Sequence, residues 1–231
     1  MIPTVAVIPT RFEPERLYAL LDIVSHDVDD MIVLDNGHEP PLAPGKLHNG
    51  DLVDVRGMGL YSIWNLGWRT ALEYGNPVNV CILNDDIRIL PGTLSMMATA
   101  LRREPRLGCV YPDRHVPLAA GLPAKIRTTS LFDPVGSREM TGFCFMFKGE
   151  LPLPPFDEGY EWWYADSVFD EAVKAAGYGV GQVDGLPIEH VSDAETNDWA
   201  RRPELKEAIA RDGVRWARLH DRIEDGRWVP A

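Results

Sequence analysis

Three short, uninterrupted apolar runs constrain the fold of this chain more than any other feature. They cover residues 5–8, 31–34 and 78–83, and polar residues follow each run directly. Runs of this length suit strands that are buried on both faces, as parallel strands are in α/β proteins. We therefore predict an α/β fold with a mostly parallel central sheet flanked by helices.

Helical patterns separate the apolar runs and continue after them. Residues 14–24 carry leucines at helical spacing, and Pro14 stands at the start, where a helix tolerates proline. Because the order is strand, helix, strand, the economical arrangement is a right-handed parallel βαβ unit. Further helices are predicted at residues 62–74, 91–103, 166–176 and 203–223, and further strands at 109–111, 142–147 and 180–183. Residues 38–50 are predicted to be a loop, and residues 112–139 loops or short edge strands.

The balance of charge narrows the class of partner. The chain has 35 Asp and Glu residues against 23 Lys and Arg residues, which gives a formal net charge of -12. Such a charge repels phosphate polymers at long range, so a nucleic-acid partner is not expected. It is compatible with an enzyme that holds a nucleotide diphosphate through a metal ion.

The cysteines and the hydropathy of the chain indicate the cellular compartment in which the protein works. The three cysteines each lie in an apolar run without CxxC spacing, which predicts buried free thiols in a reducing environment. No apolar stretch approaches the roughly 18 residues that span a bilayer. The N-terminal run lacks a cationic region and is broken by Pro9, so it resembles a first strand rather than a signal peptide. These observations predict a cytoplasmic protein.

The polar residues behind the predicted strands point to a ligand site. In open α/β sheets, ligands bind beyond the carboxyl ends of the strands. Residues 9–11, 35–36 and 84–86 occupy such positions. Asp35 could accept hydrogen bonds from a nucleobase or shape a turn, and Arg11 could meet a phosphate or pair with Glu13.

Asn84-Asp85-Asp86 is the most informative of these motifs. Adjacent carboxylates repel each other unless a cation neutralises them. A divalent ion does so with oxygen ligands and can bind a diphosphate at the same time. A turn or a helix cap before Pro91 would account for the same residue types, so both interpretations stay open at this point.

Asp166 and His190 are the other candidates for chemistry. Asp166 opens a predicted helix, where it could be an N-cap or a general base. His190 follows a predicted strand, and a histidine of this kind is a metal ligand only if it lies near Asp86 in space. A carboxylate and an imidazole together would suit Mn²⁺ better than Mg²⁺. Trp162 and Trp163 could stack on an acceptor sugar or pack in the core.

The motifs as an ordered set resemble family 2 glycosyltransferases of the GT-A type, the nucleotide-diphospho-sugar transferase fold. The resemblance covers residues 3 to about 191, and residues 192–231 match no pattern. It implies a GT-A domain at 1–191. From their own sequence, residues 192–231 are predicted to be a lid loop and a C-terminal helix that pack on the same domain. The motifs are VAVIPTRFEPERLYALL, MIVLDNG, WNLGWRTAL, VCILNDD, TGFCFMF, FDEGYEWWYADSVFDEAVKAAGYGV and IEHV.

The resemblance implies a role for each matched position. Asp166 would be the general base, Asp86 and His190 the metal ligands, and Trp162 and Trp163 would stand near the acceptor. Asp35 would contact the nucleobase, and Gly67 would allow a helix to pack beside the donor. The residues implied to bind the donor are Pro9, Thr10, Arg11, Asp35, Asn65, Asn84, Asp85 and Gly142.

Two residues depart from the family pattern. Asn84 replaces the first acidic residue of the DxD motif, which lowers the charge of the metal site. Ala165 replaces the glutamate that often precedes the base, which removes a polar neighbour of Asp166.

The expected activity is the metal-dependent transfer of a sugar with inversion at the anomeric carbon. The expected donor is a UDP-sugar, and the expected metal is Mn²⁺ or Mg²⁺. The acceptor is left open among a glycan, a lipid-linked sugar, a protein and a modified nucleobase. A nucleotidyltransferase is the first alternative, although residues 9–13 lack the glycines of a phosphate loop. A binding module without catalysis is the second alternative, which Asn84 favours. Residues 192–202 are predicted to be a lid.

Overall fold

An eight-stranded sheet forms the centre of the chain in the computed structural model. The model describes residues 2–11, 13–39, 41–43, 45, 47, 50–132, 140, 142–191, 203–220, 223–224 and 227–228. The predicted lid lies outside these residues. None of the described helices is both long and apolar enough to cross a membrane.

The strands of the large sheet alternate with helices along the chain. They are β1 (Thr4–Thr10), β2 (Asp30–Asp35), β3 (Asp51–Asp54), β4 (Asn79–Leu83), β6 (Leu107–Asp113), β7 (Thr128–Leu131), β8 (Cys144–Lys148) and β9 (Gly179–Pro187). Two short pairs stand apart, β5 (Ile87–Arg88) with β10 (Glu189–His190) and β11 (Ile223–Glu224) with β12 (Arg227–Trp228).

The strand order confirms the predicted α/β class. It is β3-β2-β1-β4-β8-β6-β9-β7, and only β8 and β7 run against the other strands of this sheet. The chain order reverses between β1 and β4, which are parallel neighbours. This is a topological switch point, where open α/β sheets form a crevice at the strand ends.

Helices cover both faces of the sheet. They are α1 (Pro14–Val24), α2 (Leu60–Ala71), α3 (Thr93–Arg103), α4 (Ala165–Ala175) and α5 (Pro203–His220). Leucines of α1 and α3 pack with Ala6 and Ile8 on one face, whereas α2 and α4 pack with Val5 and Val7 on the other. This alternation is the two-residue period of a strand buried on both sides.

Most predicted elements are confirmed, and the differences have simple causes. β3 was not predicted because its sequence, DLVD, is acidic at both ends and lacks an apolar run. β9 is longer than predicted because Gly181 and Gly185 interrupt its pattern without ending the strand. Gly142 lies in a turn before β8 rather than inside it, and α5 ends at His220.

Candidate active site

A cavity of ≈ 500 Å³ lies beyond the carboxyl ends of β1 and β4. It brings together residues from distant parts of the sequence. Among the predicted site residues, the cavity is lined by Pro9, Thr10, Arg11, Asn84, Asp85, Asp86, Gly142, Trp162, Trp163, Asp166 and His190. Asp35 and Asn65 are the predicted donor-binding residues that do not line it.

Asp86 and His190 meet at the floor of the cavity. The Nε2 atom of His190 lies 3.1 Å from Oδ2 of Asp86. The antiparallel pair of β5 and β10 fixes this approach, and the Val191 amide donates to the Asp86 carbonyl at 2.9 Å. The imidazole also stacks on Phe143, with ring centroids 4.6 Å apart and planes 6° from parallel.

Two oxygen atoms beside this pair lack a partner. Oδ1 of Asp86 and Oδ1 of Asn84 are buried and make no hydrogen bond to any residue that the structure describes. Buried acceptors without a donor are costly, and a hard divalent cation would satisfy both. Within the same described residues, no three His, Cys, Asp or Glu side chains form a metal-binding group. The donor set of carboxylate, amide oxygen and imidazole fits Mn²⁺ or Mg²⁺ only if further ligands come from outside the protein.

Asp85 belongs to a polar network that connects three strand ends. Thr10 Oγ1 donates to Asp85 Oδ2 at 2.6 Å and lies 3.4 Å from Nε2 of His38. Nδ1 of His38 lies 2.9 Å from Oδ1 of Asp35. Burial has the largest effect on Asp85 and raises its pKa. The hydrogen bond from the Thr10 hydroxyl lowers the pKa, and the negative charge of Asp86 raises it. Asp85 and Asp86 both line the cavity, but Oδ2 of Asp85 is already engaged by Thr10.

Asp35 is held by its own turn. The carboxylate is 4% exposed, and its Oδ1 accepts the backbone amides of Gly37 and His38, each at 2.9 Å, as well as the His38 ring. Burial alone would raise the pKa of Asp35, but the hydrogen bonds from His38 and Gly37 outweigh it and lower the pKa. The next residue, Asn36, lines the cavity instead.

Two arginines supply positive charge at the β1 side of the cavity. Arg11 follows β1, and Arg16 lies in the first turn of α1. A positive charge at a helix N-terminus interacts unfavourably with the helix dipole, so the stability of α1 does not explain the position of Arg16. Nε of Arg16 is buried with no hydrogen-bond partner among the described residues. Arg16 was not among the predicted site residues, although a basic residue in the first turn of a helix, next to the loop after a strand, could have indicated a role at the site.

Asp166 lines the same cavity from the first turn of α4. Its Oδ1 accepts the Ser167 amide at 2.9 Å, and its Oδ2 lies where a Cβ on Gly142 would stand. Burial, followed by the negative charges of Asp166 and Asp212, raises the pKa of the neighbouring Tyr61 well above its usual value. Tyr61 therefore remains a neutral wall beside the carboxylate.

Residues 157–164, which we call the aromatic segment, carry Trp162 and Trp163 into the cavity. Trp163 is 39% exposed, which is unusual for so large an apolar side chain. Asn65 of α2 is 1% exposed and holds both the segment and the residue that precedes it. Its amide nitrogen donates to the Phe156 carbonyl at 2.9 Å and to Glu158 at 2.8 Å, and its oxygen accepts the Phe156 amide at 2.8 Å.

The fold is that of the GT-A-type glycosyltransferases. A mannosyltransferase, PcManGT from Pyrobaculum calidifontis in complex with GDP-Man and Mn²⁺, superposes with a TM-score of 0.62 at 17% identity. GalNAc-T7 with UDP, GalNAc and Mn²⁺ gives 0.60 at 12% identity, and S. aureus TarS gives 0.56 at 13%.

The likeness covers most of this chain but only part of the others. It spans 94%, 94% and 79% of this chain, against 65%, 50% and 35% of the mannosyltransferase, GalNAc-T7 and TarS chains. This chain therefore spans less than two thirds of the length of each of these three structures. No protein-family model matches the sequence, and no curated protein matches it.

Proposed function

We propose that this chain is a metal-dependent glycosyltransferase that moves a sugar from a nucleotide-diphospho-sugar to an acceptor hydroxyl with inversion at the anomeric carbon. The observation that carries the proposal is the convergence of Asp86, His190 and Asp166 on one cavity at the switch point of a GT-A fold. The nucleotide sugars and Mn²⁺ named for two similar structures support it.

The donor would lie along the β1 side of the cavity. Pro9 and Thr10 form its wall, and the guanidinium groups of Arg11 and Arg16 would pair with the diphosphate. The nucleoside would extend towards Asn36, since the Asp35 carboxylate is already occupied by its own turn. Asp35 would then shape the base pocket through that turn, and we expect uridine as the nucleoside.

Asp86 and His190 would hold Mn²⁺ or Mg²⁺, with the Asn84 amide oxygen close by. The ion, when bound, would neutralise negative charge on the departing diphosphate. Since the protein offers few ligands, the diphosphate oxygens would complete the coordination. We therefore expect the metal and the nucleotide to bind together more tightly than either binds alone.

Asp166 would act as the general base. Its Oδ1 is oriented by the Ser167 amide, and its Oδ2 lies beside Gly142 at the cavity. Asp166 takes the proton of the acceptor hydroxyl as that oxygen forms a bond to the anomeric carbon. The bond between the anomeric carbon and the diphosphate breaks at the same time, and its electrons leave on the diphosphate oxygen.

The acceptor would lie against the aromatic segment. The indole rings of Trp162 and Trp163 can stack on a sugar ring, and both residues line the same cavity as Asp166 and lie a few residues before it in the chain. A glycan is therefore the acceptor class that we propose. The buried free thiols of Cys81, Cys109 and Cys144 suit the cytoplasm as the place of action.

A panel of nucleotide sugars tests this function. UDP-sugars and GDP-sugars are incubated with the protein and Mn²⁺, with or without EDTA, and release of the nucleoside diphosphate is followed. We expect release with at least one donor, its loss in EDTA and its recovery with excess Mn²⁺. Pyrophosphate release from a nucleoside triphosphate would identify a nucleotidyltransferase instead, and donor binding without turnover would identify a binding module.

A further inference from the structure

Helix α5 is attached to the aromatic segment through a buried carboxylate. Asp212 is 1% exposed, and it accepts three successive backbone amides of the segment. The Glu161 amide lies 3.0 Å from Oδ1 and 3.2 Å from Oδ2, and the amides of Trp162 and Trp163 lie 2.8 and 2.9 Å from Oδ2. Three converging N–H groups are the partners that a buried carboxylate requires.

The position of Asp212 on its helix shows that this contact is specific. Leu205, Ala208, Ile209 and Asp212 share one buried stripe of α5 at helical spacing. A carboxylate on such a stripe is unfavourable unless its partners are already in place. The segment amides supply those partners, so the sequence of α5 is fitted to residues 161–163.

Two arginines on the same helix extend the contact. Arg211 forms two hydrogen bonds with the Glu161 carboxylate, at 2.7 and 2.9 Å. Arg215 pairs with both oxygens of Asp157, at 2.7 and 2.9 Å for its Nη2 atom, and its guanidinium lies against Gly159. Bidentate pairs of this kind fix orientation as well as distance.

The last contact lies where the segment enters α4. Tyr164 stacks on Trp216 of α5, with ring centroids 5.2 Å apart and planes 15° from parallel. Tyr164 has a φ of 73°, a left-handed conformation that is strained for a residue with a side chain. Such a conformation persists only where the surroundings enforce it, and Asp166 follows two residues later.

We propose that α5 is a clamp that sets the acceptor side of the cavity, with Asp212 as its positioning residue. This rests on the proposed function. By fixing the backbone of residues 161–163, Asp212 holds Trp162 and Trp163 in the cavity and sets the start of α4, which carries Asp166. The clamp acts on the acceptor and the base, and the donor side lies outside its contacts.

The first arm of the test measures the clamp without reference to activity. Amide hydrogen exchange over residues 157–164 is compared in the wild type, Asp212→Asn and Arg218→Ala. The asparagine keeps the size of the side chain but turns an NH₂ group towards the amides. We expect exchange at residues 161–163 to accelerate by about tenfold or more in Asp212→Asn. Arg218→Ala, which changes an exposed residue of the same helix, should exchange like the wild type.

The second arm separates acceptor use from donor use. Sugar transfer to p-nitrophenyl glycosides is compared with donor hydrolysis, in which water is the acceptor. For Asp212→Asn we expect kcat/KM for the glycoside to fall by about 10–100-fold. The KM for the donor should stay within about twofold of wild type. Arg211→Ala, which removes exposed ion pairs with Glu161 and Glu207 but leaves the buried Asp212 carboxylate in place, should lower kcat/KM for the glycoside by less than Asp212→Asn does.

The results of the two arms test the clamp and the proposed glycosyltransferase function separately. Unchanged exchange in Asp212→Asn, or faster exchange with unchanged glycoside transfer, would overturn the clamp. A rise in the donor KM as large as the fall in kcat/KM for the glycoside would also overturn it, because a purely structural residue would affect the use of both substrates alike. A wild type without hydrolysis or transfer of any donor would contradict the proposed function, while the exchange arm would still decide whether α5 holds the segment.

Discussion

At Gly142, a hydrogen atom occupies the place where any other residue would put a carbon. The Oδ2 and Cγ atoms of Asp166 fill the space that a Cβ would need, the latter at 2.9 Å. A Cβ at this position would displace the carboxylate of Asp166. The position of the proposed base therefore depends on a glycine from a different element.

Substitution of Gly142 by alanine tests this dependence. We expect Gly142→Ala to fold and to bind nucleotide, but to lose transfer by about 10²-fold, because the carboxylate of Asp166 is displaced. Initial transfer rates at saturating donor measure the effect. Gly213→Ala is the matched control, since no atom lies within 4 Å of the added carbon. Wild-type rates in Gly142→Ala would show that the contact has no role.

Asp35 gives a prediction about pH. Its folded-state pKa is lowered from 3.8, so the ionised form is stabilised by folding. This contribution is present above pH 3.8 and disappears as the pH falls through the lower folded-state pKa. We expect Asp35→Asn to reduce the free energy of unfolding by about 1–3 kcal/mol at pH 7, with a smaller difference at pH 3. Urea denaturation at the two pH values measures it, and a constant difference would contradict the assignment.

The positions of Asp86 and Asp166 at the cavity could be predicted from the sequence. Asp86 follows an apolar run, and Asp166 opens a helical pattern, so their places were predictable. Asp212 was not predicted because its partners lie about 50 residues away, and His38 was not predicted although Asp35, one of its two partners, is three residues away. Asp35 and Asn65 were predicted to bind the donor, but polar partners within the protein surround both. Those of Asp35 belong to the turn that the sequence offered as the alternative, whereas Glu158, a partner of Asn65, is 93 residues away and could not be read from spacing.

At the scale of elements, two strands of two residues each bring together Asp86 and His190, the proposed metal ligands. β5 and β10 are too short to have a recognisable pattern, yet their pairing brings His190 to Asp86 across 104 residues. The long strands and helices were predictable because periodic burial marks them. The short pair was not, because its register is decided by the tertiary structure.

Helix α2 depends on a close approach to β1. A Cβ on Gly67 would overlap the side chain of Val7, so the helix packs with its backbone against the strand. We expect Gly67→Ala to lower the free energy of unfolding by about 1–3 kcal/mol, despite the better helix propensity of alanine. Chemical denaturation measures the change.

The same control applies to this substitution. Gly213→Ala adds a carbon to a helix without a clash and should leave stability equal or up to about 1 kcal/mol higher. Equal stability of Gly67→Ala and wild type would mean that α2 can shift away from β1 at no cost. The placement of Tyr61 and Asn65 by α2 would then need another explanation.

At the scale of the whole molecule, a strongly acidic protein is proposed to bind an anionic donor. The net charge of -12 disfavours a nucleotide sugar at long range. The cavity offsets this locally with Arg11 and Arg16 on one side and the proposed cation at Asp86 on the other. The sheet order brings these groups together, because both β1 and β4 end at the switch point.

The most direct test of one shared site is a comparison of Asp166→Asn and Asp86→Asn in a single transfer assay with Mn²⁺ and saturating donor. We predict that Asp166→Asn binds the donor with Mn²⁺ but transfers about 10²–10⁴-fold more slowly, since only the base is lost. Asp86→Asn should lose both Mn²⁺-dependent donor binding and transfer. Near-normal transfer by Asp166→Asn, or Mn²⁺-dependent binding that survives in Asp86→Asn, would contradict the account.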